Sequence, residues 1–382
     1  MTCVDVAVRH EESAGTSTNF IAFNEGGSKH EIYWEHGGDL VPNEPRVADF
    51  ALIAVLPYFM NRGTDVRVLG NVTRSLVEAA EECIDVWSLW RPDIFRKIRL
   101  AASNLATDQV PVGRDAVLAF SGGVDSTFTL LANKRGLLGH RNFDVKAGVM
   151  IHGFDIPVNR PELFAKSAEH AHHILSEAKA AQVSVRTNWR DYCVDWEMAH
   201  GFGVTAILHQ YHGTVSCGIW SADEAYNEEF FPWGNSSVTN PLLSGISFPV
   251  RTCGRGFTRR HKISEIAKLE SVRSHVRVCW ERLASGLNCG ACEKCVITRL
   301  FFLLAGYGDV PAFEGRLSAD IVSRLRVKKA FQRDYLLSIL NDPRASSLDS
   351  EVRSALERVV RTDKVRAVIG GIARKVRSAL PR

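Results

Sequence analysis

No run of this 382-residue chain is apolar enough to span a bilayer; the longest candidate, Leu300 to Ala305, falls far short of the ~20 residues a membrane helix needs. Glycine and proline, at 29 and 13 residues, are too few for a collagen-like or low-complexity chain, and no internal repeat is present. The nine cysteines are odd in number, and the N-terminus carries neither an apolar signal stretch nor a small-residue cleavage site. A disulfide scaffold is therefore not expected, and a reducing, cytoplasmic setting is. Charge of one sign is scarce too: 47 basic against 43 acidic residues leave +4, and residues 351–382 alone hold nine Lys/Arg and three Asp/Glu. The body ahead of that tail is slightly acidic, which argues against a nucleic-acid-coating surface and makes nucleic acid a dispensable partner. The tail reads as a solvated helix face, with phosphate or acidic lipid headgroups as the alternative contact. What is present is ordinary: 45% apolar and 24% charged residues, enough for one large or two to three ordinary domains.

Periodicity suggests three regions. In residues 1–112, short strands at Phe20–Phe23 and Glu31–Trp34 flank the Gly26-Gly27 turn, followed by helices at Ala48–Met60 and Val72–Trp90 with a strand at Asp65–Val68 between them. This reads as an N-terminal α/β accessory module whose first 25 residues look irregular around Glu11 to Thr18. From 113 to 306 strands and helices alternate: strands at Ala116–Phe120, Lys146–Ile151, Val183–Thr187, Thr214–Trp220 and Phe248–Thr252, with helices at Thr127–Arg135, Pro161–Ala181 and Val204–Tyr211. Such alternation predicts a parallel, doubly wound α/β sheet with ligands at the carboxyl ends of its strands. Residues 307–382 read as a helical region ending in the basic tail.

The first of these strands runs into Ser121-Gly122-Gly123-Val124-Asp125-Ser126-Thr127. Two glycines admit a polyphosphate close to the backbone, the helix N-terminus offers free N–H groups, the hydroxyls add donors, and Asp125 can hold Mg2+. No Walker loop occurs anywhere in the chain. Gly201-Phe-Gly203-Val-Thr-Ala206 mimics a dinucleotide fingerprint, but no convincing strand precedes it; it reads as a helix start packed close to the sheet.

Cys279, Cys289, Cys292 and Cys295 carry two short Cys-x-x-Cys spacings, enough for a closed, structural four-sulfur Zn2+ shell. An iron–sulfur cluster on Cys289, Cys292 and Cys295 is the rival.

The Ser-Gly-Gly-x-Asp-Ser loop resembles that of the PP-loop ATP pyrophosphatase superfamily, whose members split ATP between the α and β phosphates. With Lys262 at a helix start, Cys279, and the Cys-Gly-x-Cys-x-x-Cys run, the order over about residues 114 to 305 is similar to the zinc-binding 7-cyano-7-deazaguanine synthase family. It is also similar to larger PP-loop proteins carrying strings such as His152-Gly-Phe-Asp-Ile-Pro157 and Pro232-Trp-Gly234. The resemblance implies an adenine nucleotide alpha-hydrolase-like core and an ATP-dependent ligase that adenylates a carboxylate or amide oxygen for attack by ammonia or an amine. It assigns Asp125, Ser126 and Lys262 to catalysis, and Ser121, Gly122, Gly123, Asp125, Ser126, Thr127, Ile151 and His152 to Mg-ATP.

Substrate candidates are Asp155, Asn188 and Arg190 at strand ends, Asp223, Trp233 and Asn235 in the long loop after the fourth strand, and Arg259 and Arg260 at the basic helix start. Turn formation or surface pairing is the plainer role for each. The expected partners are a small-molecule substrate and an ammonia-donating protein, and a homodimer is an open expectation. Two other classes stay open: ATP-dependent sulfur insertion, and a non-catalytic, nucleotide-dependent module that binds RNA or protein.

Overall fold

The structure is a computed structural model that describes residues 3–13, 15–279, 288–327 and 330–362. The chain divides into two compact units, one ending at Lys262 and one beginning at Ile263. The first is α/β and is built on a ten-stranded, mostly parallel sheet.

Three long antiparallel strands open it: β1 (Cys3–Ser13), β2 (Thr16–Glu25) and β3 (Ser28–Gly38). The region around Glu11 to Thr18 is therefore ordered strand rather than irregular chain. Alternation was hidden because inward positions are polar: Ser17, Asn19 and His36 are buried alongside Ile21, Phe23, Ile32 and Trp34. The polar groups of Asn19 and His36 are met inside the sheet layer. Asn19 Nδ2 donates to Gln210 Oε1 at 2.8 Å, and the His36 ring lies 2.8 Å from the same oxygen and 3.1 Å from the Tyr211 hydroxyl. Burying such groups is tolerable only with partners.

Next come α1 (Asp49–Arg62), β4 (Asp65–Thr73), α2 (Arg74–Trp90) and β5 (Leu100–Ala106). The strand β5, edge-lying and mostly exposed, has no counterpart among the sequence expectations. Asp49, buried at the start of α1, accepts from Thr73 N and Thr73 Oγ1, both at 2.8 Å, which ties the helix to the end of β4.

The alternating region holds β6 (Asp115–Ala119), α3 (Val124–Lys134), β7 (Asp144–His152), α4 (Pro161–Glu177), β8 (Ala181–Thr187), α5 (Trp196–His209), β9 (Cys217–Ser221), β10 (Val250–Cys253) and α6 (Arg259–Ile266). Two helices begin earlier than their apolar spacing suggested. Helix α3 starts at Val124, so Asp125 and Ser126 are in its first turn, and α5 starts at Trp196 with Asp195 as its N-cap. The Gly201-x-Gly203 pair accordingly lies inside a helix, not at its start.

The sheet order is β10-β9-β6-β7-β8-β3-β2-β1-β4-β5. Strands β10, β9, β6, β7 and β8 are mutually parallel, and β3 joins β8 antiparallel. The expected boundary near residue 112 thus falls between two strands of one sheet. From β6 the chain goes to one side for β7 and β8 and returns to the other for β9 and β10. The gap between the carboxyl ends of β6 and β9 is a topological switch point, where open α/β sheets leave a crevice.

The second unit contains α7 (Glu270–His275), α8 (Glu293–Leu304), α9 (Ala319–Ser323), α10 (Ala330–Leu340) and helical residues 350–362. Most of the basic tail, residues 363–382, lies outside the described residues. Among the described residues no helix is long and apolar enough to cross a membrane.

Candidate functional site

The Ser-Gly-Gly loop occupies the switch point. Gly122 has φ +70°, a left-handed conformation that disfavours any Cβ. Gly123 caps α3 with extended backbone and no side-chain cap bond, so hydroxyls and first-turn N–H groups face the loop uncapped by a side chain. Ser121 and Ser126 brace it: their hydroxyls lie 3.2 Å apart, Ser121 N donates to Ser126 Oγ at 3.3 Å, and Gly123 N donates to Ser121 Oγ at 3.3 Å. Thr127 is fully buried on the next position of the helix.

Two cations converge on Asp125 from α6. Lys262 Nζ donates to Asp125 Oδ1 at 2.8 Å, and Arg259 donates to Oδ2 at 3.2 Å. Lys262 is only 1% exposed, and its ammonium also donates to the Ala222 carbonyl at 2.7 Å, just past the end of β9. This one side chain therefore links the loop after β6 to the loop after β9 across the crevice. A buried ammonium needs such partners. Among the described contacts two cations face one carboxylate, next to a helix N-terminus of positive polarity, a setting that favours an anion.

The other nominated residues are mostly committed elsewhere. His152, at the end of β7 beside Ile151, is buried, stacks on Phe164 with centroids 4.6 Å apart, and meets the Pro157 carbonyl at 3.0 Å. Burial lowers its pKa. Asp155 is exposed beyond it. Asn188 accepts from Tyr33 N and donates to the Glu31 carbonyl, both at 3.0 Å, and so fastens β3 to the chain just past β8. Arg190 donates to the Phe154 carbonyl at 2.6 Å and stacks on Trp196. Asn235 is buried in a side-chain network: it donates to the Ser221 carbonyl and accepts from Asn240 and Arg255. Arg255, which also pairs with Glu229, was not singled out from the sequence; a lone arginine after Gly254 gives no signal until the loop's fold is seen. Asp223 accepts from Trp233 Nε1 at 3.1 Å and adjoins Ala222. Arg260 is half-buried near Arg259. The structure thus brings Ser121 to Thr127, Lys262, Arg259 and the Ala222-Asp223 segment together, leaves Asp155 exposed past β7, and engages Asn188 and Arg190 with backbone carbonyls past β8.

In the second unit the four cysteines do converge. One sulfur from each of Cys279, Cys289, Cys292 and Cys295 lies within 4.8 Å of every other. The Cys279 to Cys292 and Cys289 to Cys295 sulfur distances are 3.8 and 4.0 Å, and a tetrahedral Zn2+ with Zn–S near 2.3 Å requires about 3.8 Å. Four sulfurs this close could hold one ion, and Cys279 belongs to the set, so the arrangement fits a structural zinc site better than a three-cysteine iron–sulfur cluster. Without metal the thiols would share charge: hydrogen bonding from Cys295 pulls Cys292 down to about 5, while Cys295 is pushed far up.

A supporting layer fixes the ligand loops. Asn288 Oδ1 accepts from Val278 N and Cys279 N, and its amide donates to the Val276 and Ala312 carbonyls. Arg299, buried on α8, pairs with Asp309 at 2.7 Å and donates to the Gly290 carbonyl at 3.3 Å. Such outer partners orient metal ligands. Arg299 and Asp309 gave no sequence signal because both lie outside the cysteine motif.

No family model, curated protein or solved structure matches this chain.

Proposed function

We propose that this chain is an Mg-ATP-dependent ligase that adenylates a substrate carboxylate, releases pyrophosphate, and transfers the acyl group to ammonia or an amine. The observation that carries the reading is the Asp125, Lys262 and Arg259 constellation at an uncapped, glycine-lined helix N-terminus in the switch-point crevice. Backbone N–H groups, the Ser121 and Ser126 hydroxyls and the two cations would hold phosphates, and Asp125 would hold Mg2+. Catalysis on this account is positioning and neutralisation of phosphate charge, with AMP serving as the leaving group that a free carboxylate lacks. The likeness to PP-loop ATP pyrophosphatases supports the same assignment, and the cysteine centre is structural.

Sulfur insertion has less support. The remaining candidate sulfur carriers are held as thiols by burial, which pushes Cys193 and Cys217 up to about 12 and Cys253 up to about 11. A purely nucleotide-binding module predicts occupancy of the loop without turnover.

An ATP–pyrophosphate exchange screen over carboxylic acids tests the reading. Acid-dependent exchange that disappears in Asp125→Ala is the expected result. Exchange that persists unchanged in that variant removes the loop from the chemistry.

A further inference from the structure

One residue beyond the carbonyl that holds Lys262, a second cluster faces the same strand end. His200 stands on α5 with three indoles around it: the rings of Trp196, Trp220 and Trp233 lie 5.8, 5.8 and 5.7 Å from its own. Its Nδ1 is 3.0 Å from the Trp196 carbonyl oxygen, a group that can only accept. Nδ1 therefore carries a proton, and the neutral ring presents a lone pair at Nε2. That Nε2 faces Asp223 Oδ2 at 3.9 Å, and Trp233 Nε1 donates to the same oxygen at 3.1 Å. The histidine side chain is 14% exposed and the aspartate 40%, so the pair is shielded yet reachable.

The chain is shaped around this ring. A Cβ on Gly234 would lie 2.6 Å from His200 Nδ1, and one on Gly201 would lie 2.3 Å from the Gly234 carbonyl oxygen. The loop can cross α5 this closely only with glycine at both places. Charged groups bordering the cluster include Arg190, whose guanidinium lies 4.2 Å over the Trp196 ring, Glu197, one turn earlier on α5, and Arg255, which interacts electrostatically with Asp223.

We propose that His200 is the proton acceptor for an amine nucleophile in the second half-reaction, with Asp223 and Trp233 as positioning residues. The inference rests on the adenylation reading above. In that step the amine nitrogen attacks the carbonyl carbon of the acyl adenylate. The C–N bond forms, the C–O bond to AMP breaks with its electron pair, and the proton released from nitrogen passes to His200 Nε2. A base oriented through its other ring nitrogen is the arrangement that general-base catalysis requires.

Two measurements on the full chain test it. Nitrogen-15 NMR, with the His200 signals identified by their loss in His200→Gln, should show the Nδ1–H tautomer, with an Nε2 resonance that moves in Asp223→Asn. An Nε2–H tautomer, or an Nε2 resonance indifferent to Asp223→Asn, overturns the pair. With an acid that supports ATP–pyrophosphate exchange and methylamine as the nucleophile, His200→Gln should keep exchange within about threefold and lose about 100-fold or more in amide formation. The loss should be carried by kcat. Equal losses in both half-reactions make His200 a packing residue and overturn the proposal. No exchange by the unaltered protein with any acid instead sinks the adenylation reading, and the proposal with it.

Discussion

The two candidate centres of this molecule are assembled in opposite ways. The cysteine centre draws its four ligands from seventeen consecutive positions, Cys279 to Cys295, and its geometry is close to what the spacing alone dictates. The candidate nucleotide centre draws on the loop after β6, the carbonyl of Ala222 after β9, and Lys262 and Arg259 on α6; Asp125 and Lys262 are 137 residues apart. A local centre depends on its ligands and its ion. A dispersed one depends on the sheet order that brings three segments to one crevice.

The largest expected effect sharpens that contrast. Metal analysis should find one zinc per chain, lost in Cys292→Ser, and chelation should melt the second unit, because structural zinc contributes on the order of 10 kcal/mol or more to small metal-dependent folds. Retention of full metal content in Cys292→Ser would break the local account.

Next, Lys262→Met should lower acid-dependent ATP–pyrophosphate exchange by about 100-fold or more while leaving zinc content unchanged, as removal of one preorganised charge donor does elsewhere. A loss confined to stability, with full exchange in the folded fraction, would show that the lysine only props the crevice.

Acid should weaken the dispersed centre through its scaffold. Burial pulls His36 and His209 down to about 4, below the ordinary 6.5, so the unfolded chain binds protons that the folded unit does not. Stability is then lost as pH falls from 6.5 toward 4. Asp49 works the other way: burial pushes it up to about 6, and its penalty is relieved as pH falls across about 6 to 4. Two imidazoles against one carboxyl predict a net loss on the order of 2 kcal/mol between pH 7 and pH 5, measured by urea unfolding of the first unit. A flat profile would mean that these groups find water or other partners.

The smallest effect concerns the loop's internal bracing. Ser126→Ala removes a hydroxyl that accepts from Ser121 N at 3.3 Å and should weaken inorganic pyrophosphate binding by about fivefold, the scale of one modest hydrogen bond. No change in calorimetric affinity would place the hydroxyl outside the anion site.

The same contrast governs what could be read from the sequence. The Gly-Gly loop and the cysteine run are contiguous, so residue types and spacing sufficed, and the parallel strands β6 to β10 showed as short apolar runs. Lys262 was reachable only through a family likeness, because no spacing rule links it to Asp125. His200 stayed hidden: it sits in a helix whose start was misplaced by eight residues, and its signal was the tryptophans at 196, 220 and 233, which converge only after folding. Strand β1 and the start of β2 were obscured because Ser17 and Asn19 are buried, Asn19 bonding to Gln210, so burial there does not follow hydropathy. Asn188 and Arg190 were placed correctly past a strand end, but their polar groups are spent on the backbone of β3 and of the Phe154 turn.

Product analysis of ATP turnover tests the central claim most directly. With a carboxylic acid and an amine that support turnover, the account predicts AMP and pyrophosphate in equal amounts, and neither in Asp125→Ala. Formation of ADP and inorganic phosphate, or AMP formation unchanged in that variant, would contradict it.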